Sequence, residues 1–150
     1  MIYRYVAVDL DDSRLAMSAT GVPCGLDEGD IMADEQALRA LNIEIGVRES
    51  SGDVAFFGTR LAGAFAMRRA NGDLDDRDKF LAKVVKSDQR DTTVDAVTYF
   101  GDRRALVECT VVVGANRFHN LRLFIRDGDS EAPWLLLGWA NELVSEGSSS

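Results

Sequence analysis

A chain of 150 residues with one histidine has few ways to move a proton near neutral pH. That histidine is His119, the residue type most often used to move protons near neutral pH. In the segment 117–126, period-two alternation puts His119, Leu121, Leu123 and Ile125 on one face. Phe118, Asn120, Arg122, Phe124 and Arg126 fall on the other. The first set carries the apolar side chains, so it is expected to face the core, with the imidazole near a cavity. A structural histidine at the strand end is the plainer reading of the same position. Asp95 and Tyr99 have equal parity on the segment 92–100. If Val97 and Tyr99 face inward, Asp95 follows. Burial would then raise its pKa for proton abstraction, and Tyr99 would donate to a developing oxyanion. If Val94, Ala96 and Phe100 face inward, Asp95 and Tyr99 both meet solvent. The pattern leaves both arrangements open. His119, Tyr99 and Asp95 are the candidate catalytic residues.

Other chemistries are poorly served. Cys24 and Cys109 stand 85 positions apart and belong to no C-x-x-C pair. With a single histidine they form no zinc set, so no metal site is expected. Two buried free thiols are expected rather than a disulfide. The acidic run Asp73, Asp75, Asp76, Asp78 lacks EF-hand spacing and reads as helix capping. No phosphate loop, nucleophile elbow or dinucleotide fingerprint is present, and no cofactor is expected.

The elements that position these groups follow from periodicity and breakers. A helix is expected from near Asp30, with Leu38, Leu41 and Ile45 on one face and a stop at Ser50-Ser51-Gly52. Asp53 can cap a second short helix carrying Phe56, Phe57 and Leu61 inward. Residues 64–70 read as a short strand, and Asn71-Gly72 as a turn. Asp75 or Asp76 can cap a third helix with Phe80, Leu81 and Val84 on one face. Strands are expected at Thr92–Phe100, Arg104–Val113, Arg117–Arg126 and Trp134–Leu143, joined by Gly-containing turns. Helices first and an antiparallel meander last make an α+β domain. Residues 1–30 read as an extension that can form a strand at 2–10, residues 31–143 as the domain, and 144–150 as a flexible tail. Trp134 and Trp139, five positions apart, are expected on opposite faces of the last strand, with Asn141 sharing the face of Trp139.

This order resembles the nuclear transport factor 2-like superfamily, and within it the uncharacterised SnoaL-like branch. Ketosteroid isomerase and the association domain of calmodulin-dependent kinases are related to that branch. The segments that carry the resemblance are ADEQALRALN, SGDVAFFGTRLAGAFAMRRANGDLDDRDKFLAKV, YFGDRRALVECTVVVG, RLFIRDG and WLLLGWANEL. The resemblance implies a curved antiparallel sheet wrapped around N-terminal helices, a cystatin-like cone with an apolar pocket at its open end. It also implies frequent homodimerisation through the sheet. It implies no single activity, because the superfamily includes enzymes, ligand binders and assembly domains. At 61–63 this chain reads Leu-Ala-Gly where many relatives offer an acidic residue, which counts against an enzyme.

Composition sets the outer limits. The chain is 46% hydrophobic and 28% charged, as in ordinary globular domains. Its net charge of −8 disfavours nucleic acid and anionic membranes as partners. MIYRYVAVDLDD lacks the unbroken apolar core of a secretion signal, so a cytoplasmic protein is expected. The expected function is a homodimeric domain whose pocket, lined by Phe56, Phe57, Phe65, Trp139 and Asn141, binds a small hydrophobic molecule. An isomerase, cyclase or hydrolase using general acid–base chemistry is the first alternative. An oligomerisation module without a ligand is the second. The homodimer is expected through an outer sheet face carrying Leu106, Val112, Phe118 and Phe124 beside Glu108, Thr110 and Arg122.

Overall fold

The structure is a computed structural model and describes residues 2–6, 28–128 and 132–145. Strand β1 (Ile2–Val6) is followed by helices α1 (Glu28–Ser51) and α2 (Val54–Arg60), then strands β2 (Leu61–Arg68) and β3 (Leu74–Asp76) and helix α3 (Arg77–Lys83). Four long strands complete the chain: β4 (Arg90–Phe100), β5 (Arg104–Val113), β6 (Asn116–Ile125) and β7 (Leu135–Ser145). They form one curved, unclosed sheet of seven strands in the order β1-β4-β5-β6-β7-β2-β3. The meander β4 to β7 is antiparallel throughout, and Gly101 and Gly114, both at positive φ, turn the short β4–β5 and β5–β6 hairpins. Two flanking pairings, β1 with β4 and β2 with β7, are parallel. The fold is therefore α+β, with the helices preceding most of the sheet.

Local sequence explains the helix boundaries. Asp53 caps α2, accepting a hydrogen bond from the Phe56 amide at 3.0 Å. Asp76 caps α3 in the same way, from the Lys79 amide at 2.8 Å. Helix α1 begins at Glu28, two residues before the expected start near Asp30. Gly46 sits inside α1 because the helix runs close to β4: a Cβ there would lie 2.6 Å from Thr92 Oγ1. Gly52, at φ 72°, ends α1 and would likewise strike the Lys86 backbone if it carried a Cβ. The core lies between the helices and the inner sheet face. Leu38 and Ile45 of α1 meet Val94, Val97, Val107 and Cys109 there.

The sheet corrects several expectations about which side chains face inward. In β6 the inner set is Phe118, Asn120, Arg122 and Phe124, because these stand opposite the buried Val111, Cys109, Val107 and Ala105 of β5. His119, Leu121, Leu123 and Ile125 are on the outer face. Hydrophobicity alone pointed the other way. It failed because the inward polar residues find partners in the core, which removes the penalty of burying them. In β4 a bulge between Val94 and Ala96 breaks the alternation. Val94, Val97 and Tyr99 all face inward, while Asp95 turns out and accepts a 2.6 Å hydrogen bond from Thr110 Oγ1. A second irregularity, between the Leu123–Gly138 and Phe124–Leu136 pairs, leaves Leu137 without a partner and shifts the parity of β7. Trp134 and Trp139 are consequently both buried on the inner side, not on opposite faces. Arg126 is buried as well. It grips Asp34 of α1 through two hydrogen bonds of 3.0 and 2.7 Å and lies 4.2 Å from the centre of the Trp134 ring.

Strand β1 adds an edge to the sheet, residues 28–30 of the expected extension belong to α1, and residues 7–27, with Cys24, lie outside the described residues. So does the end of the expected tail from residue 146. Cys109 is a buried free thiol. No helix among the described residues is long and apolar enough to cross a membrane.

Candidate functional site

One end of the sheet gathers polar side chains from five elements. The last two turns of α1 supply Glu49, the start of β4 supplies Arg90, and Arg69 follows β2. Asn116 and Asn120 come from β6, and Asn141 comes from β7. With Trp139, Phe118, Met67, Val111 and Val113 they line a cavity of about 170 Å³. The ladder fixes this arrangement: Cys109, Asn120 and Asn141 are successive partners across β5, β6 and β7, and Met67 pairs with Trp139 across β2 and β7.

The polar walls are held by hydrogen bonds. Asn120 donates to Asn141 Oδ1 at 3.0 Å and accepts from Trp139 Nε1 at 2.5 Å. Arg90 Nε reaches Glu49 Oε1 at 2.7 Å, and Arg90 Nη1 donates to Ser87 Oγ and the Asp88 carbonyl. Arg69 Nε donates to Asp75, which Lys83 also meets at 2.8 Å. Behind the cavity lies Arg122, fully buried. Its Nη1 donates to the backbone carbonyl and Oδ1 of Asn42, both at 3.1 Å, and its Nη2 to Asn120 Oδ1 at 3.4 Å. Its guanidinium carbon sits 4.4 Å from the centre of the Trp139 ring, a cation–π contact. A run of edge-to-face aromatics, Phe56–Phe57–Phe80–Phe65, continues to Trp139 through Phe80 and braces the indole.

Charge states follow from burial. Desolvation lifts the Glu49 carboxyl above the usual carboxylate range, although Arg90, Arg122 and Arg69 pull it down. Burial works against the Asp75 charge too, but hydrogen bonds from Lys83 and Arg69 prevail and hold it low. Burial lowers the pKa of Arg122 and raises that of the Cys109 thiol, so Cys109 is a poor nucleophile. Among the described residues no cluster of His, Cys, Asp and Glu could hold a metal ion.

The structure does not assemble the expected catalytic set. His119 and Asp95 lie on the outer face, beside Thr110, Arg117 and Glu142 in a shallow hollow of about 600 Å³. Tyr99 is buried on the inner side, six positions along β4 from the Thr93–Thr110 pair and hence roughly 20 Å from the level of His119. Of the residues expected to line a pocket, Trp139 and Asn141 line the cavity. Phe57 and Phe65 are packed behind it, and half-buried Phe56 lies under Arg48 and Arg60. The expected pocket was apolar, whereas this cavity is walled by Glu49, Arg69, Arg90 and three asparagines. Of these only Asn141 was expected: Glu49, Arg69, Arg90 and Asn116 sit at or just beyond the end of an element, and Asn120 stands on the face of β6 that was assigned to the outside. Their one shared signal is a polar residue at an inward position of an otherwise apolar strand or helix face.

No family model matches the chain, and no curated protein matches it. Solved structures do. The chain is similar to an NTF-2 like protein of unknown function from Silicibacter pomeroyi, with a TM-score of 0.65 and 17% identity over 75% of this chain and 98% of that one. It is similar to an NTF2-like protein of unknown function in nutrient uptake from Rhodospirillum rubrum, with a TM-score of 0.58 and 20% identity over 77% and 98%. A cystatin-like fold protein from Burkholderia xenovorans gives a TM-score of 0.62 and 14% identity over 79% and 95%. The chain has the NTF2-like, cystatin-like fold.

Proposed function

We propose that this chain is a SnoaL-like binding domain that takes a small organic molecule into the cavity between the end of α1 and the inner sheet face, and that it works as a homodimer. The observation that carries the reading is the cavity itself. Polar side chains from five elements converge above an aromatic floor, and a few convergent polar groups in a concave site are what ligand recognition needs. The homodimer draws on the outer face. Leu106 of β5, Leu121, Leu123 and Ile125 of β6 and Leu135 of β7 lie there as neighbours by register, with Val112 apart from them opposite Arg117. Phe118 and Phe124, which were expected in this patch, face inward. Five adjacent aliphatic side chains outside the core form a surface that monomers usually avoid.

The binding reading is tested by titrating small organic molecules against tryptophan fluorescence and thermal stability. A ligand at 100 times its Kd stabilises the fold by about 2.7 kcal/mol. Binding should weaken in Asn141→Ala and Trp139→Phe and should ignore His119→Ala. Binding that is lost only with His119→Ala would move the site to the outer face and end this reading.

A general acid–base enzyme is the second reading, favoured by one observation: the lifted pKa of Glu49 in a cavity beside an arginine. It requires turnover that Glu49→Gln abolishes while ligand binding persists.

A further inference from the structure

We infer that the cavity selects a small organic carboxylate, seated with its charge against Arg69 and Arg90 and its carbon body on Trp139 and Phe118. This rests on the reading of the cavity as a binding site and names its ligand class. The hydrogen-bond inventory is the first support. Arg69 uses Nε on Asp75, and neither of its Nη atoms makes a hydrogen bond among the described residues. Arg90 commits Nε and Nη1, and its Nη2 makes none there. Asn141 accepts from Asn120, while its own Nδ2 donates to nothing among the described residues. Donors therefore outnumber acceptors on these walls. An ionised carboxylate is acceptor-only, and its flat edge matches the paired N–H groups of a guanidinium.

Charge and size agree. Glu49 answers Arg90, and Asp75 is shared by Arg69 and Lys83. Arg122 lies behind Trp139 and makes no ion pair among the described residues. The site thus holds more positive than negative charge in a chain of net charge −8. A volume of about 170 Å³ corresponds to about six waters. That suits a monocarboxylate of benzoate size.

Glu49 gives the site a pH dependence. The charged groups facing it are Arg90 from β4, Arg69 beyond β2 and Arg122 from β6. Burial favours its neutral form, and a neutral Glu49 frees Arg90 for the ligand. Binding then takes up a proton and tightens as the pH falls toward the raised pKa of Glu49.

The test is calorimetric titration of the whole chain with benzoate and with benzamide, its neutral isostere, in buffers of different ionisation enthalpy. Benzoate should saturate with proton uptake, and benzamide should bind at least about tenfold more weakly. Arg69→Gln and Arg90→Gln should each cost benzoate about tenfold, with an unchanged circular dichroism spectrum. The benzoate–benzamide comparison needs no variant, so it holds even if an arginine change perturbs folding. Benzamide binding as tightly as benzoate overturns the carboxylate assignment and leaves the cavity reading standing, and so does inorganic phosphate binding more tightly than benzoate. No saturation by benzoate, phenylacetate or acetate overturns it as well. If both probes bind but neither responds to Trp139→Phe or Asn141→Ala, the cavity reading itself fails.

Discussion

Arg122 brings a positive charge into the core with no carboxylate against it among the described residues. Its stem fills volume, and its head ties Asn42 of α1 to Asn120 and Trp139 of the sheet. A methionine of similar length keeps the volume and drops the cost of desolvating a charge, which offsets the hydrogen bonds to Asn42 and Asn120 that it forfeits. Arg122→Met should therefore change stability by no more than about 1 kcal/mol, whereas Arg122→Ala leaves a cavity and should cost about 3 kcal/mol. Urea denaturation of both variants checks this, and equal losses would refute it. Glu49 titrates with the opposite sign to a typical salt-bridged carboxylate. Its folded pKa is raised, so the folded state binds more protons than the unfolded chain between the two pKa values. Its contribution is free of penalty below the unfolded pKa and grows unfavourable as pH rises through the folded one. Wild type should gain stability relative to Glu49→Gln as the pH is lowered from 7 toward that of an ordinary glutamate. A difference that does not vary with pH would show that burial does not control this group.

Elements were legible wherever a local rule governed them. The caps at Asp53 and Asp76 and the bounds of the strand Arg104–Val113 follow from residues within a few positions. Faces were less legible, because they depend on what lies opposite. Period two gave the right partition of β6 and the wrong choice between the halves, since no local rule shows that Asn42 and Asp34 wait on a helix 80 and 92 residues earlier. The bulges at Asp95 and Leu137 each moved one residue and thereby reversed everything beyond it. Of the candidate site, Trp139 and Asn141 were visible because both lie past the second bulge and keep their mutual parity. Glu49, Arg69 and Arg90 were not, being brought together only by the tertiary fold. Gly46 illustrates an element held by a close approach. Gly46→Val should cost about 1–3 kcal/mol through overpacking against Thr92. Thermal unfolding measures this, and a stabilised variant would mean that α1 can retreat from β4. His119→Ala, on the outer face, should stay within about 0.5 kcal/mol of wild type.

Across the whole molecule the sheet divides two faces: the inner one holds the core and the cavity, and the outer one carries the aliphatic patch proposed to meet a second copy. A two-fold pairing through β5–β7 would set the cavities on opposite sides of the assembly, away from the interface. A standard interface buries about 1,600 Å² in total. Light scattering at micromolar concentration should give twice the 16.4 kDa chain mass, and Leu121→Glu should yield a folded monomer. A wild-type mass of one chain that persists on concentration excludes the dimer. The cavity as the site of ligand binding is the central claim, and amide and indole shift mapping by NMR during a benzoate titration tests it most directly. The account predicts the largest shifts at the Trp139 indole N–H and at the amides of Glu49, Asn120 and Asn141. Shifts centred on His119, Thr110 and Glu142, with the Trp139 indole unmoved, would contradict it.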